Sequence, residues 1–186
     1  LAVTVLLVLA PFLCVVDAVW LFWDHGVGVT DLVLTCFFCF LTGCWVTIGF
    51  HRLLSHRSSP AKPALRAGLA LAGSMSFQGA VISWVATHRR HHAFTDRPGD
   101  PHSPYRYGTR PVAQLHGLLH AHFGWLFGDD PTDVGHFAPD LLAEPAMRRI
   151  SRAFPGLCVR SLALPALAGW VLSGFSVVAG ATALIW

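Results

Sequence analysis

Basic residues are missing from both ends of this chain. All 13 Lys and Arg residues lie between Arg52 and Arg160, and Leu1 to Trp23 carries one charged side chain, Asp17. A helix rises ~1.5 Å per residue and the hydrocarbon core of a bilayer is ~30 Å thick, so this first run is long enough to cross it. Leu32 to Phe50 is a second uncharged run, and Asp24 to Asp31, with Gly26 and Gly28, is a polar loop between the two. The pair reads as a transmembrane helical hairpin. A signal peptide is the rival reading of the first run, but no basic residue precedes it and it is long for that role. Only 12% of the 186 residues are charged and 54% are hydrophobic, against about 25% charged in soluble domains. The composition excludes a disordered chain. Three of the five cysteines (Cys36, Cys39, Cys44) sit inside one apolar run, which argues against a disulfide scaffold.

The charge distribution also orients the chain. The loop at 24–31 has no basic residue, so the positive-inside rule puts 51–160 in the cytoplasm. Pro63 to Val85 is moderately apolar and contains Arg66 and Gln78. As a span it would separate His51 from His88 by the bilayer; as an interfacial helix it keeps them on one face. The basic residues on both sides favour the interfacial reading. Ala93 to Arg152 reads as loops and short helices at the membrane surface, with Arg148, Arg149 and Arg152 near lipid headgroups. Leu157 to Trp186 is apolar again, interrupted by Arg160, Pro165 and Ser173–Gly174. It fits a third span at about 161–174 and the beginning of a fourth at 175–186. The expected fold is therefore a single all-α integral membrane domain, multi-pass, with spans at about 1–23, 32–50, 161–174 and 175–186. Both ends fall inside apolar runs, so the chain is expected to be incomplete.

Eleven histidines are far more than such a chain needs, and five form two clusters: His51-Arg-Leu-Leu-Ser-His56 and His88-Arg-Arg-His91-His92. Neutral imidazole is the commonest nitrogen ligand and suits iron, copper, zinc and nickel. His88, His91 and His92 stand at i, i+3 and i+4, within roughly 100° of one helical face. His51 and His56 are worse placed, because an i, i+5 pair is about 140° apart on a regular α-helix. They meet only if the helix ends there or two metals share the ligands. A solvated basic patch at anionic headgroups is the plainer reading of the second cluster taken alone. Two clusters on one membrane side point instead to a functional site.

Gly49-Phe-His-Arg-Leu-Leu-Ser-His-Arg-Ser58 resembles the first histidine box of the membrane-bound acyl-CoA (stearoyl-CoA type) fatty acid desaturases. His88-Arg-Arg-His-His-Ala-Phe-Thr-Asp96, followed by Asp100-Pro-His-Ser103, resembles the second box. Ser74-Met-Ser-Phe-Gln78 with Trp84 is similar to the segment leading into it, and His122-Phe-Gly-Trp-Leu126 to a further family element. The resemblance covers roughly Gly49 to Pro131, and the apolar runs match a four-helix layout. It implies a di-iron centre that uses O2 and two electrons to place a cis double bond in a saturated acyl chain. His51, His56, His88, His91 and His92 match iron ligands, and Gln78 and Trp84 match positions at the bend of an acyl tunnel. The implied partners are a fatty acyl substrate linked to CoA, phospholipid or carrier protein, an electron donor such as ferredoxin or cytochrome b5, and the bilayer, with no nucleic acid. His102, His116, His120 and His136 match no ligand motif and read as surface loop histidines.

Three departures accompany the resemblance. The family's third histidine box would lie beyond Trp186, with the remaining ligands. Ala86 and Thr87 stand where animal members hold the CoA adenine nucleotide with a basic–acidic pair. Gly128-Asp129-Asp130 stands where those relatives are basic, and acidic groups repel CoA phosphates; in this the chain is closer to bacterial members. The rival functions are a histidine-box hydroxylase or alkane monooxygenase, a membrane metal-binding or transport protein, and an inactive truncated homologue. Cys36-Phe-Phe-Cys39 lies in mid-span, where packing explains it better than redox chemistry. Gly68, Gly73 and Gly79 are expected to permit close packing, and Thr132-Asp133 to cap a local helix.

Overall fold

The computed structural model describes residues 29–172, 174 and 175, together with scattered helical positions between 5 and 20. The span expected at 1–23 is therefore described only at those positions, and the one expected at 175–186 lies outside the described residues beyond residue 175. Among the described residues every regular element is a helix. Helix α1 (Val29–Cys44) continues without a break into an 11-residue π-helical segment, Trp45–Ser55. After an extended stretch follow α2 (Pro63–Ser74) and α3 (Val81–Phe94). A long loop then leads to α4 (Pro111–His122) and a 3-10 turn, Gly124–Phe127. Three short helices, α5 (Val134–Phe137), α6 (Pro139–Ala143) and α7 (Pro145–Arg152), precede α8 (Phe154–Leu172).

The starts of these helices follow from the sequence. Pro63, Pro111, Pro139 and Pro145 each open a helix, where proline's missing N–H costs nothing and its φ is already helical. Asp133 caps α5 as expected, its carboxylate accepting from the N–H groups of Gly135 (2.8 Å) and His136 (3.3 Å).

Among the described residues two helices are long and apolar enough to cross a membrane, Cys36–Ser55 and Phe154–Val171. Only 22% of the first window and 11% of the second are buried. Most of their residues therefore face outward, the reverse of a core helix in a soluble protein. The second window begins earlier than the expected span, because α8 runs straight through Arg160 and Pro165. The expected single interfacial helix over 63–85 is two helices. The chain turns between them at Met75–Ala80, with Phe77 at φ +58° and Gly79 at φ +114°.

The buried core lies directly under the histidines. Phe50, Leu53 and Leu54 of the π segment pack with Ala70 of α2, Val81, Val85 and Ala86 of α3, and Leu141 and Met147 of α6 and α7. Gly73 permits this packing: a Cβ there would sit 2.6 Å from the Phe50 ring. Gly68 faces open space, and Gly79 serves the turn rather than packing. Ion pairs and hydrogen bonds tie the ends of the helices together. Arg66 meets Glu144 at 2.6 Å, and Ser161 Oγ donates to the Met75 carbonyl at 2.7 Å.

Helix α4 is amphipathic in the inverted sense. His116 stacks on Tyr107 with ring centroids 4.1 Å apart, His120 Nε2 donates to the Pro101 carbonyl at 3.2 Å, and Gly117 is buried. Val112, Leu115, Leu118 and Leu119 are exposed instead. A Cβ on Gly117 would fall 1.7 Å from the Pro104 carbonyl oxygen. Gly117→Ala is thus expected to push α4 off the 101–108 loop at a cost of roughly 1–3 kcal/mol, as overpacking against backbone does. A lowered thermal unfolding midpoint in detergent would register it.

Candidate metal centre

The π segment brings His51 and His56 together. In a π-helix residue i+5 hydrogen-bonds to residue i and sits one turn above it. The His56 N–H donates to the His51 carbonyl at 3.0 Å, and Ser55 Oγ to the Phe50 carbonyl at 2.7 Å. The two imidazoles then meet edge to face, with centroids 4.5 Å apart, planes at 73° and Nε2 atoms at 3.2 Å. The angular conflict expected of an i, i+5 pair is removed by widening the helix.

Helix α3 presents its own histidines across from these. His88 and His92, one α-turn apart, have Nε2 atoms 3.1 Å apart. The His88 ring lies 4.7 Å from His51, and the His92 ring 4.6 Å from His56. His51, His56, His88 and His92 each offer one nitrogen, and the four nitrogens all lie within 4.8 Å of one another. That is a donor set for a first-row transition metal, made wholly of imidazole.

His91 stands apart from these four. It is about 60° round the helix from His88 in one direction, while His92 is about 40° in the other. Its Nδ1 meets both oxygens of Asp100, at 3.0 and 3.1 Å. His91, Asp100 and His102 form a second group of ligand-type atoms, also within 4.8 Å of one another. The His88 and His91 rings are 6.4 Å apart, so the two groups adjoin.

Burial first, then the imidazoles of His51, His92, His56 and His91, lower the His88 pKa to about 3. Burial and then the neighbouring His56 and His91 rings lower that of His92 as well. His102 is lowered by burial and then by His91, with Asp100 opposing. These rings are neutral at physiological pH, the form that binds metal. Burial alone would raise the Asp100 carboxyl. Hydrogen bonds from His91 and from the Asp96 and His102 N–H groups outweigh it and hold the pKa below the usual value.

Arg89 clamps the assembly from behind. Its guanidinium donates to the Ser55 carbonyl (3.2 Å), the Leu54 carbonyl (2.7 Å) and the Phe137 carbonyl (2.9 Å), and pairs with both oxygens of Asp140 (2.6 and 3.0 Å). The last carbonyls of a helix lack intrahelical partners. Arg89 satisfies those at the end of the π segment and so locks the first histidine pair to the helix that carries the second.

Trp84 stacks on His88 (4.9 Å, 17°) and tilts against Phe50 (5.4 Å). It lies, with Gln78, on the wall of a cavity of about 1080 Å³ that reaches His88 and His102. Phe77, Phe123, Trp125 and Leu126 give that wall an apolar character, and Arg106, Asp129 and Asp130 line it too. Asp130 is gripped by Arg90 at 2.6 Å, so Asp129 is left as the acidic group beside that pair. His120 and His122 also line the cavity.

Four positions depart from the sequence reading. His102, read as a loop surface residue, is half-buried and stacked on His91, with centroids 4.4 Å apart. His120 is also only half-exposed, while His116 and His136 are exposed as expected. Asp100 and Arg89 carry no role in the sequence reading, although the Asp100-Pro-His102 triplet stands out beside the second cluster. The chemistry of Asp100 depends on a loop folding back onto α3, which helical periodicity does not show.

Four imidazoles that could hold a metal ion thus sit beside a cavity with an apolar wall, on an all-helical frame with two helices of membrane-crossing length among the described residues. The fatty acid desaturase family model matches residues 30–186. The chain is 33% identical over 178 residues to hex-5-enoyl-[acyl-carrier protein] acetylenase of Moorena producens, covering 95% of this chain and 55% of that protein. It is 38% identical over 152 residues to human stearoyl-CoA desaturase 5 (77% and 43%), and 34% identical over 131 residues to sn-1 stearoyl-lipid 9-desaturase of Anabaena variabilis (69% and 44%). The chain belongs to the fatty acid desaturase family. It spans about half the length of the curated relatives it matches.

Proposed function

We propose that this chain carries half of the active site of an O2-dependent fatty acyl desaturase, which introduces a cis double bond into a saturated acyl chain. The observation that carries the reading is the convergence of His51, His56, His88 and His92 next to an apolar cavity. In this reading these four and His91 hold a di-iron centre, whose remaining ligands come from elsewhere in the protein. Iron supplies, when bound, the oxidising power that an unactivated methylene pair demands of O2. The balance is two hydrogens lost from the acyl chain, O2 reduced to two waters, and two electrons and two protons drawn from a donor such as ferredoxin or cytochrome b5.

The protein's own residues position the chain. Trp84 and Gln78 shape the cavity wall next to His88, and the apolar lining keeps water from the reacting methylenes. Hydrophobic contacts resolve one methylene by only ~1–3 kcal/mol, so the depth and bend of the cavity choose the carbon pair. The names of the relatives include CoA, carrier-protein and lipid-linked acyl groups, and the carrier here is one of these.

The protein is a single multi-pass membrane domain in this reading, with its histidines at the cytoplasmic face. Basic residues confined to 52–160 support that side, and the exposed apolar stripe of α4 suits a helix lying in the leaflet surface. The test is product analysis of the natural protein containing this chain, supplied with saturated acyl substrates and an electron donor. A product two hydrogens lighter with a cis double bond is expected. An alcohol would assign the protein to the histidine-box hydroxylases. No turnover with substoichiometric iron would mark an inactive homologue.

A further inference from the structure

The loop after α3 is built around one carboxylate. Asp100 is fully buried at its side chain, and its Oδ1 accepts from His91 Nδ1 (3.0 Å) and the His102 N–H (3.1 Å). Its Oδ2 accepts from His91 Nδ1 (3.1 Å) and the Asp96 N–H (2.9 Å). The chain adopts unusual conformations to arrange this. Asp96 has φ +57° and Gly99 φ +107°, and Ser103 Oγ braces the loop by donating to Asp96 Oδ1 at 3.2 Å. Burying a carboxylate is costly unless its lone pairs are met. This one is met only by backbone N–H groups and one imidazole.

We propose that Asp100 is a positioning residue that holds the His91 proton on Nδ1 and so presents Nε2 as the metal-binding nitrogen. The inference rests on the di-iron reading above and adds to it the group that sets the tautomer and tilt of one ligand. A metal-bound imidazole commonly donates its other N–H to a carboxylate, which orients the ring and raises its basicity. The His102 ring, stacked on His91 at 4.4 Å and 24°, holds the plane of the ring from one side, and Trp125 backs His102 at 5.4 Å.

The competing assignment makes Asp100 itself a ligand, with His91 and His102, of a separate metal. The hydrogen bonding opposes it. A carboxylate has about four lone-pair sites, and three donors already engage both oxygens, one backbone N–H on each and the His91 Nδ1–H shared between them. A cation would have to displace N–H donors that the loop backbone fixes in place.

The experiment compares wild-type protein, Asp100→Ala and Asp100→Asn, each loaded with 57Fe and examined for iron per chain, iron affinity and Mössbauer spectrum. Asp100→Ala is expected to weaken binding at the His91-held iron about 10–100-fold, as loss of an outer-sphere partner does, and to alter one iron signal only. Asp100→Asn keeps an acceptor for Nδ1–H and is expected to retain most of the iron with a shifted spectrum. Thermal unfolding of the metal-free variants shows that the chains still fold. Unchanged affinity and spectrum in Asp100→Ala would overturn the proposal. Equal loss in Asn and Ala would overturn it too, by making the carboxylate a direct ligand. Wild-type protein that takes up no iron would sink the desaturase reading instead.

Discussion

His88→Ala is expected to lower iron affinity by more than about 100-fold, beyond the 10–100-fold typical of an outer-sphere change. His88 stands at the centre of the cluster. Its ring is within 4.6 to 5.5 Å of those of His51, His56 and His92, and Trp84 stacks on its other side. Removing it leaves three imidazoles around an open gap and takes from the cavity the one member of the four that lines it. His91→Ala is expected to lower bound iron as well. Neither change touches the outward-facing apolar helices, so both variants are expected to stay in the membrane fraction. Metal analysis of purified protein, with His136→Ala as an exposed control, checks the pair. Unchanged iron in both His88→Ala and His91→Ala would show the ligand assignment to be wrong.

The second large effect concerns Arg89. Its side chain is only 15% exposed and serves three backbone carbonyls and Asp140. Arg89→Ala leaves those carbonyls and a partly buried carboxylate without their donor, and truncating one partner of such a pair costs on the order of 3 kcal/mol. Arg89→Lys restores the charge but not the planar fork, so it is expected to recover only part of the loss. Iron retention is expected to fall in step, because the end of the π segment that carries His56 loses its tie to α3.

The same clamp sets an acid limit. Burial alone would raise the Asp140 carboxyl, but the hydrogen bond and charge of Arg89, then the charge of Arg57, outweigh it and hold the pKa at about 2. The folded state therefore binds this proton less readily than the unfolded chain, whose carboxyl titrates near 3.8. The stabilisation is complete above about pH 4 and is lost as pH falls through about 2. In Arg89→Ala the Asp140 pKa rises toward the unfolded value, so this acid-dependent part of the stability is expected to shrink or vanish. Unfolding midpoints measured against pH in detergent read both the size and the window.

Much of the frame is legible in the residues. Uncharged runs announce the outward-facing apolar helices, because a long stretch without charge has few other stable environments. Prolines at 63, 111, 139 and 145 mark helix starts, and the two histidine clusters mark the site. Helix α8 is harder to read, since Arg160 and Pro165 suggest breaks that the packed helix does not make. Pro63 to Val85 reads as one helix because its apolar character runs on across a turn that only backbone conformation reveals.

The sequence by itself determined a helical chain with long apolar helices and two histidine clusters gathered between its apolar ends, because those properties follow from composition and short-range spacing. Only the tertiary structure decided how the histidines are shared. Regular α geometry separates His51 from His56, and the choice of a π segment depends on its packing against α2 and on the Arg89 clamp. Periodicity groups His91 with His88 and His92. A carboxylate nine residues further on draws it aside, and long-range hydrogen bonding of that kind leaves no trace in helical spacing.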